Sequence, residues 1–524
     1  MLSKTDSRSA NNALGALILL SMAERVVLLL RFGFMHIGID DALIQQVAID
    51  YGQGIFREPF LYGQNYNPML EALLAAPFVR LGAAPWVVLP IITSLLALLP
   101  FWSLAIWCMR RGAPMAALVM ASAPIVLPVE WGMITSMPRG WVHGLALLSL
   151  VPWMHDLRSA WLRNGVIGLT LVASLLCNPN TAPLVAAVGL RLVLREGRGL
   201  SLWVMGVASL ATGWAFHSAA QAWYAARPGS VVHPLMPDDL AFDPMLIAKG
   251  LARIDEHLQH MHPFGGIGWI SVVVLLGCVV QVVRRREWTV ALTITAALLA
   301  MLLALGIPKT HEGCASIFLP LSRMMLCLPL LMAASLAWLL RDGVVPRWLR
   351  WAMPSALVIG SVMSSFQIES TVRRELAQQE CAWVREEPLQ LVRDRCSMIS
   401  ETAITFNCDL IVPVRWPHLR VDHRAHFAAH FTCYACPQLV PGMPTVLGAG
   451  FDRRSWIRSA HEMPPHGRVL FIGGDAQAWN EAIASGRAIE AVSDQGNLLH
   501  IAQCDTIAVR DFILQLGIDD DMDR

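Results

Sequence analysis

Two adjacent aspartates, Asp40 and Asp41, directly follow the first long apolar segment of the sequence. A carboxylate at a membrane surface, with a low dielectric around it, is suited to remove the proton of an acceptor hydroxyl. Aspartate is also a favoured N-cap residue, so Asp40 would alternatively cap a helix that begins at Asp41. The pair predicts either a general base or a helix cap, and the residue types alone do not choose between them.

A cluster of phenol and amide side chains follows the aspartates in the same polar segment. It contains three of the chain's five tyrosines, and two of these stand beside amides. Amides and phenols at this density suit sugar hydroxyls, which need donors, acceptors and a flat aromatic wall. An interfacial aromatic belt is the alternative, although a belt explains the tyrosines and not the amides. The predicted sugar-binding or acceptor-binding residues are Tyr62, Gln64, Asn65, Tyr66 and Asn67.

Three cationic side chains are candidates for binding an anion. Arg139 precedes a predicted helix, Lys309 lies in a short loop, and Arg323 lies inside an apolar segment. A charge within a membrane helix is costly and indicates a functional site. A phosphate leaving group would supply the anion and would accept charge-assisted hydrogen bonds. We therefore predict that these three residues bind a donor phosphate; the alternatives for Arg323 are an ion pair with Glu24 or an interfacial position.

The C-terminal segment DHRAHFAAHFTCYAC carries histidines and cysteines at spacings that occur in metal sites. Histidines three and four residues apart share a helix face, and His and Cys side chains bind zinc. The alternative is that the six cysteines after residue 367 form disulfides, which requires an oxidising compartment. Cys314, outside this set, is expected to be a single thiol. The weak zinc candidates are His423, His426, His430, Cys433 and Cys436; no motif requires a cofactor, and a divalent metal stays an open option.

The composition of the 524-residue chain is that of a membrane protein, with 55% hydrophobic and 15% charged residues. The net charge of +1 provides no basic field, so we expect no nucleic-acid partner. A spanning helix needs about 20 mostly apolar residues, and about eleven segments are candidates on this criterion. They lie at 12–33, 86–109, 114–130, 140–156, 164–177, 181–195, 200–222, 265–283, 288–306, 317–340 and 351–367.

Lysine and arginine are concentrated in alternate loops, in the set that includes the N-terminal segment. By the positive-inside rule the N-terminus is then cytoplasmic, and an odd number of spans places the C-terminal part outside. The prediction is a polytopic α-helical membrane domain at 1–367, followed by a soluble periplasmic α/β domain at 368–524. Within the first domain, residues 34–85 form a periplasmic loop with interfacial helices.

The order of several motifs resembles the bacterial GT-C type membrane glycosyltransferases, the superfamily with a dolichyl-phosphate mannosyltransferase-like or aminoarabinose-transferase-like fold. The motifs are DDALIQQVAIDYGQG, FLYGQNYNPMLEALLAAPFVRLG, MPRGWVHGLALL, NPNTAPLV and SRMMLCLPLL. The resemblance implies a catalytic carboxylate at the acidic pair, an arginine in a late span at Arg323, and a polyprenyl-phosphate-linked sugar donor. The pair reads Asp-Asp where Asp-Glu is common, so the resemblance does not choose between Asp40 and Asp41.

These observations predict a glycosyltransferase of the bacterial inner membrane that uses an aspartate base and inverts the anomeric centre. Its partners would be the lipid bilayer, a polyprenyl-phosphate-sugar donor and a glycan, lipid or protein acceptor at the periplasmic face. One alternative is a transporter or flippase of a lipid-linked saccharide, although such proteins usually contain internal repeats. The other alternative is a non-catalytic scaffold whose C-terminal domain binds a partner.

Overall fold

The computed structural model describes residues 4–227, 231, 234–343, 349–377, 386–413, 434–446, 467–472, 476–494 and 497–503. The first α-helices are α1 (Lys4–Leu28), α2 (Ile39–Gly52), α3 (Leu70–Arg80), α4 (Pro85–Arg110), α5 (Pro114–Val126), α6 (Val129–Ile134), α7 (His143–Leu148), α8 (Val151–Met154) and α9 (Ala160–Cys177). They are followed by α10 (Ala182–Glu196), α11 (Leu200–Ala225), α12 (Pro244–Ala252), α13 (Ile254–Leu258), α14 (Trp269–Arg284), α15 (Trp288–Ala304), α16 (Leu328–Leu340), α17 (Leu349–Ala377), α18 (Leu389–Thr405), α19 (Cys436–Leu439) and α20 (Ala476–Ala484).

Within the described residues, five helical segments are long and apolar enough to cross a membrane. They are Arg8–Gly33, Pro85–Arg110, Ala160–Cys177, Leu200–Ala225 and Leu321–Leu340, and shorter apolar helices lie at Pro114–Val126, His143–Met154, Trp269–Arg284 and Trp288–Ala304. Each apolar segment predicted from the sequence coincides with one or more helices. The prediction of a polytopic α-helical membrane protein is therefore confirmed.

Short non-α turns separate or extend several of these helices. A π-helix at Leu29–Gly33 extends α1, and 3₁₀-helices lie at Pro179–Thr181, Pro237–Leu240, Pro308–His311 and Leu321–Met325. The Asn178-Pro179-Asn180 sequence is a tight turn between α9 and α10, because the Asn178 side chain accepts a hydrogen bond from the backbone N–H of Asn180 at 3.0 Å. Pro179 has no backbone N–H and therefore cannot donate the hydrogen bond that would continue α9. This explains why the helix ends before it.

The C-terminal part has the predicted α/β character. Its strands are β2 (Glu386–Pro388), β3 (Leu410–Pro413), β4 (Thr445–Val446), β5 (Arg468–Ile472), β6 (Ala488–Asp494) and β7 (Asn497–Gln503). Five of them form one sheet in the order β4-β3-β5-β7-β6, parallel from β4 to β5 and antiparallel beyond. The inward residues Ile411, Leu470 and Ile501 pack with Ile399 of α18, so helix and sheet share one apolar core.

The chain forms two compact units, each built from segments distant in sequence. The helical unit comprises residues 1–34, 66–220 and 235–381, and the mixed unit comprises 35–65, 221–234 and 382–524. In the mixed unit, β1 (His36–Gly38) pairs antiparallel with β2, with Ile37 opposite Glu387. Helix α17 runs without interruption across residue 367, and the predicted domain boundary there stays a prediction.

The cysteines differ in part from the sequence expectation. Cys396 and Cys436 form a disulfide between α18 and α19, as expected for a C-terminal part in an oxidising compartment. Cys408 is a buried free thiol, so complete pairing of the C-terminal cysteines is wrong. Cys314 is disulfide-bonded, and its assignment as a single thiol is wrong as well. Pairing depends on which Cβ atoms come together in space, which sequence spacing does not reveal.

Candidate functional site

The two aspartates of the acidic pair have different environments. Helix α2 begins at Ile39, and the backbone N–H of Gly38 donates to Oδ2 of Asp41 at 3.0 Å. Asp41 is 5% exposed and closes the first turn of the helix, whereas Asp40 is half-buried. The alternative that Asp40 caps a helix beginning at Asp41 is therefore wrong, because the capping carboxylate is Asp41 itself.

The loop after α2 is organised by a second carboxylate, Asp50, which is 1% exposed. Its Oδ2 accepts from Nε of Arg57 at 2.6 Å and from the hydroxyl of Tyr62 at 2.9 Å, and its Oδ1 accepts from Gln46 at 3.1 Å. Burial is the main cause that raises the pKa of Tyr62, and burial raises the pKa of Tyr51 to about 12. Tyr62 is thus a buried phenol that donates to Asp50 and holds the loop.

A third carboxylate, Glu58, fixes the turn that presents the predicted amides. It is fully buried, and its Oε2 accepts from the backbone N–H of Gly63 at 2.9 Å and from the hydroxyl of Tyr224 at 3.3 Å. Gly63 has a φ of 82°, a conformation that glycine adopts without strain. The backbone oxygen of the following Asn65 accepts from Gln221 at 3.1 Å. Both predicted amides of this turn, Gln64 and Asn65, are partly exposed.

In the helical unit, Tyr66 and Asn67 lie beside two of the predicted cations. The ammonium of Lys309 lies 5.7 Å from the ring centroid of Tyr66. Nδ2 of Asn67 donates to the backbone oxygen of Arg139 at 3.4 Å. A Cβ at Gly140 would overlap with the side chain of Asn67, so glycine allows this close approach. Two segments far apart in sequence, around residues 67 and 139, therefore meet.

A buried network that the sequence reasoning missed supports the Arg139 segment. Oε1 of Glu71 accepts from the backbone N–H of Gly140 at 2.8 Å, and Oε2 accepts from the hydroxyl of Thr93 at 2.7 Å. Nε2 of His143 lies 3.1 Å from the same Oε2, and both side chains are completely buried. The sequence did contain a signal for this network. Glu71 lies within the apolar sequence MLEALLAAP, where a charge without a partner would be costly.

The three predicted cations converge on one segment, residues 308–325, hereafter the cation loop. Nη1 of Arg139 donates to the backbone oxygen of Phe318 at 2.7 Å, and Nη1 of Arg323 donates to that of Pro320 at 3.1 Å. The ammonium of Lys309 lies 2.7 Å from Oε2 of Glu312. Arg139 and Arg323 are 4% and 7% exposed. The cation loop therefore concentrates positive charge in a mostly buried position.

Glu312 is the carboxylate partner of this cluster. Nη2 of Arg323 lies 3.9 Å from Oε2 of Glu312, and Nη1 of the same guanidinium donates to the backbone oxygen of Glu312. The alternative pairing of Arg323 with Glu24 is therefore wrong. The carboxylate is 41% exposed, so an incoming anion could replace it. Among the described residues, this segment brings two guanidinium groups and one ammonium close to the carboxylate of Glu312.

Two asparagines of the turn after α9 connect the cation loop to the Arg139 segment. Nδ2 of Asn178 donates to the backbone oxygen of Gly140 at 3.3 Å. Nδ2 of Asn180 donates to the backbone oxygen of Trp141 at 2.8 Å and to that of Arg323 at 3.3 Å. The sequence identified these asparagines only as part of the motif NPNTAPLV. Asparagine is effective here because one amide group can donate two hydrogen bonds.

The predicted zinc set is not supported. The sulfur of Cys436 is committed to the disulfide with Cys396 and does not supply a thiolate ligand. The other candidates, His423, His426, His430 and Cys433, lie outside the described residues. Among the residues that the structure does describe, no group of His, Cys, Asp or Glu side chains could hold a metal ion.

The fold resembles that of solved structures of ArnT. One is the crystal structure of ArnT from Cupriavidus metallidurans in the apo state, with a TM-score of 0.56, 12% identity, and coverage of 93% of this chain and 98% of that chain. Another is ArnT from the same organism bound to undecaprenyl phosphate, with a TM-score of 0.55, 11% identity, and coverage of 94% and 99%. No protein-family model and no curated protein sequence matches the chain. At this identity the likeness concerns the fold alone, which is that of the ArnT structures.

Proposed function

We propose that the protein is an integral membrane glycosyltransferase that moves a sugar from a polyprenyl-phosphate-linked donor to an acceptor at the periplasmic face. The observation that carries the proposal is the convergence of Arg139, Lys309 and Arg323 on the cation loop of an ArnT-like fold. An ArnT structure with this fold binds undecaprenyl phosphate. A polyprenyl phosphate is an anion that guanidinium and ammonium groups bind through charge-assisted hydrogen bonds.

The three cations are proposed to bind the phosphate of the donor and to stabilise it as a leaving group. Arg139 and Arg323 are held by backbone oxygens of the cation loop, so they are oriented before the donor arrives. Groups that are oriented in advance stabilise developing charge without reorganisation during the reaction. In this proposal the phosphate displaces the partly exposed Glu312 carboxylate from Lys309 and Arg323.

Asp40 is proposed as the general base. Asp41 caps α2 and is 5% exposed, and Asp40 is the more exposed carboxylate of the pair. The acceptor oxygen forms a bond to the anomeric carbon while the bond from that carbon to the phosphate oxygen breaks with its electron pair. The acceptor proton passes to the Asp40 carboxylate, and polyprenyl phosphate departs. One displacement from the side opposite the leaving group inverts the anomeric centre.

The proposed sugar contacts are Gln64, Asn65, Tyr66 and Asn67, whose side chains are partly exposed. Tyr62 was predicted with this set, but its hydroxyl donates to Asp50 and its side chain is buried. We therefore assign Tyr62 a supporting role in the proposal. Its phenol holds the loop that presents the two amides, and it does not contact the sugar.

The proposed orientation has a cytoplasmic N-terminus and a periplasmic C-terminal domain in a bacterial inner membrane. The distribution of lysine and arginine among the loops supports it. The disulfide between Cys396 and Cys436 also supports it, because structural disulfides persist in the periplasm and are rare in the cytoplasm.

Binding of undecaprenyl phosphate to the purified full-length protein tests the phosphate assignment. Arg323→Ala and Arg139→Ala should each weaken binding at least about tenfold, because each removes a buried charge-assisted donor. Arg323→Lys should restore binding only in part, since an ammonium does not reproduce the planar fork. Arg253→Ala is the matched control, because this arginine forms its ion pair with Glu256 within the helical unit and has no place in the cation loop.

The transporter alternative is separated by measuring two activities in the same proteoliposomes. If Asp40→Asn abolishes sugar transfer but leaves undecaprenyl phosphate binding intact, the enzyme proposal stands. Lipid-linked sugar that crosses the bilayer unchanged, at a rate that Asp40→Asn does not alter, would instead establish a transporter. Unchanged phosphate affinity in both arginine variants would remove the cation loop from the donor site.

A further inference from the structure

A cavity of about 680 Å³ lies in the helical unit, and its wall includes two residues of the cation loop but not Arg139, Lys309 or Arg323. Its wall is formed by the end of α5, the start of α6, residues 259–266, residues 315–316 and helix α17. A volume between about 300 and 1,000 Å³ is typical of sites that bind small molecules or head groups. The predicted glycosyl transfer uses no residue of this wall.

One side of the cavity carries an ion cluster of two carboxylates and one guanidinium. Nη2 of Arg374 lies 2.6 Å from Oε1 of Glu130 and 3.2 Å from Oε1 of Glu375. The two carboxylate side chains are 16% and 9% exposed, so water screens them poorly. One guanidinium neutralises only one carboxylate. Among the described residues the cluster therefore has one more carboxylate than guanidinium, and it favours a ligand that brings a positive group.

The same cavity contains a buried hydrogen-bond donor on His262. The residue is 1% exposed, and its Nδ1 accepts from the backbone N–H of Phe264 at 3.1 Å. Burial is the main cause that lowers the pKa of His262, which favours the neutral ring. In the neutral ring the proton then resides on Nε2. This Nε2 has no hydrogen-bond partner among the described residues, and a buried donor of this kind requires an acceptor.

The remaining wall is apolar and continues into the outer surface of helix α17. Leu127, Leu357 and Gly360 line the cavity. Beside the last two, the large apolar side chains Val358, Ile359 and Val362 are 46%, 60% and 49% exposed. These residues lie within the segment 351–367 that the sequence predicts to span the bilayer, where exposed apolar side chains are suited to contact lipid tails. The cavity thus joins a polar, charged region to a surface suited to an acyl chain.

We propose that this cavity binds a bilayer phospholipid with a primary-amine head group, of the phosphatidylethanolamine type. The ammonium group binds Glu130 and Glu375, and the phosphate accepts from Arg374 and from Nε2 of His262. An acyl chain lies against the apolar wall at Gly360. An anionic phospholipid without an amine lacks the positive group and adds to the negative charge, so the charge pattern selects the zwitterion. The assignment is independent of the proposed transfer reaction.

Native mass spectrometry of the full-length protein tests the assignment, with phosphatidylethanolamine and phosphatidylglycerol of identical acyl chains as probes. Phosphatidylethanolamine should bind at least about tenfold more tightly. Glu130→Gln and Glu375→Gln should each reduce this affinity about tenfold, because each removes a charge-assisted partner of the ammonium. Glu369→Gln is the matched control: it removes the same charge from helix α17, but Glu369 pairs with Arg373 and does not line the cavity.

Gly360→Leu provides a test that leaves the ion cluster intact. A Cβ at Gly360 meets no atom within 4 Å, and leucine is a better helix former than glycine, so the lipid-free protein should fold normally. The leucine side chain should occupy the apolar end of the cavity and abolish tight phosphatidylethanolamine binding. Equal affinity for the two lipids in the wild-type protein, or wild-type phosphatidylethanolamine affinity in Gly360→Leu, would overturn the proposal.

Discussion

Substitution of the acidic pair should separate a catalytic aspartate from a structural one. The two residues are adjacent in α2, yet the structure buries them to different degrees. Oδ2 of Asp41 accepts from the backbone N–H of Gly38 at 3.0 Å, and Asp41 is 5% exposed. Asp40 is half-buried on the same turn. We expect Asp40→Asn to affect the rate of transfer and Asp41→Ala to affect mainly stability.

The stability effect of Asp41→Ala follows from the loss of one capping interaction. Removal of a side-chain cap costs about 0.5–2 kcal/mol of unfolding free energy. For a domain of about 150–250 residues, a loss of 1 kcal/mol lowers Tm by about 2–4 °C, and a longer chain should show a smaller change. Asp41→Asn should lower Tm less than Asp41→Ala, because the amide oxygen still accepts from Gly38.

The kinetic effect of Asp40→Asn follows from loss of the base. An amide does not accept the acceptor proton, and loss of a general base typically lowers the rate by about 10²–10⁴. This factor corresponds to about 3–5 kcal/mol of activation free energy. Because asparagine has nearly the same size as aspartate and Asp41 still caps α2, we expect Asp40→Asn to lower Tm less than Asp41→Ala does.

The assay is the initial rate of sugar transfer from an undecaprenyl-phosphate-linked donor in proteoliposomes, with thermal unfolding of the same preparations. Asp243→Ala is the control for a lost cap, since Asp243 accepts from the backbone N–H of Met245 at 2.9 Å at the start of α12. It should lower Tm without a large loss of rate. A near wild-type rate for Asp40→Asn, together with an inactive Asp41→Asn of normal Tm, would refute the assignment.

Three further predictions test the electrostatics. Glu312→Gln should increase undecaprenyl phosphate affinity several-fold, because the carboxylate 3.9 Å from the Arg323 guanidinium competes with phosphate. Glu71→Gln should lower both this affinity and Tm, since a hydrogen bond to a charged group, such as that from the Gly140 N–H, contributes about 1.5–3 kcal/mol. Burial lowers the pKa of His500 in the folded state from 6.5 to about 4. As the pH decreases between these values, the unfolded state binds a proton before the folded state does. The unfolding free energy should therefore fall over this range.

Each of these predictions has a measurement and a control. Binding isotherms with undecaprenyl phosphate test the two glutamates, and Glu256→Gln, outside the cation loop, should leave the affinity unchanged. Unchanged affinity in Glu71→Gln would show that its network is structural only. His500→Phe is the control for the pH effect. The ring centroids of His500 and Trp479 lie 4.1 Å apart, and phenylalanine keeps this stacking but has no titratable group. The same loss of stability in His500→Phe between pH 6.5 and pH 4 would contradict the assignment.

The sequence by itself determined the architecture of this protein at the level of its elements. The apolar segments are helices because a membrane helix must satisfy its backbone hydrogen bonds internally, and this requirement depends only on local length and composition. The segments LIVP and RVLFI are strands of the C-terminal sheet. Local composition is again sufficient, because short apolar runs with β-branched residues predict buried strands. The cations of the cation loop were also identifiable singly, because charge is costly in an apolar environment.

Only the tertiary structure decided which of these groups meet. Arg323 contacts Glu312 and not Glu24, because the cation loop folds back on itself through the hydrogen bonds of Cys314 with Leu319 and Leu321. Glu71 reaches the Gly140 N–H across 69 positions of sequence. Hydrophobic periodicity defines the face that a helix buries but not its partner, since many partners bury the same apolar area. Hydrogen bonds and ion pairs select among these arrangements through distances and directions that exist only once the helices have packed.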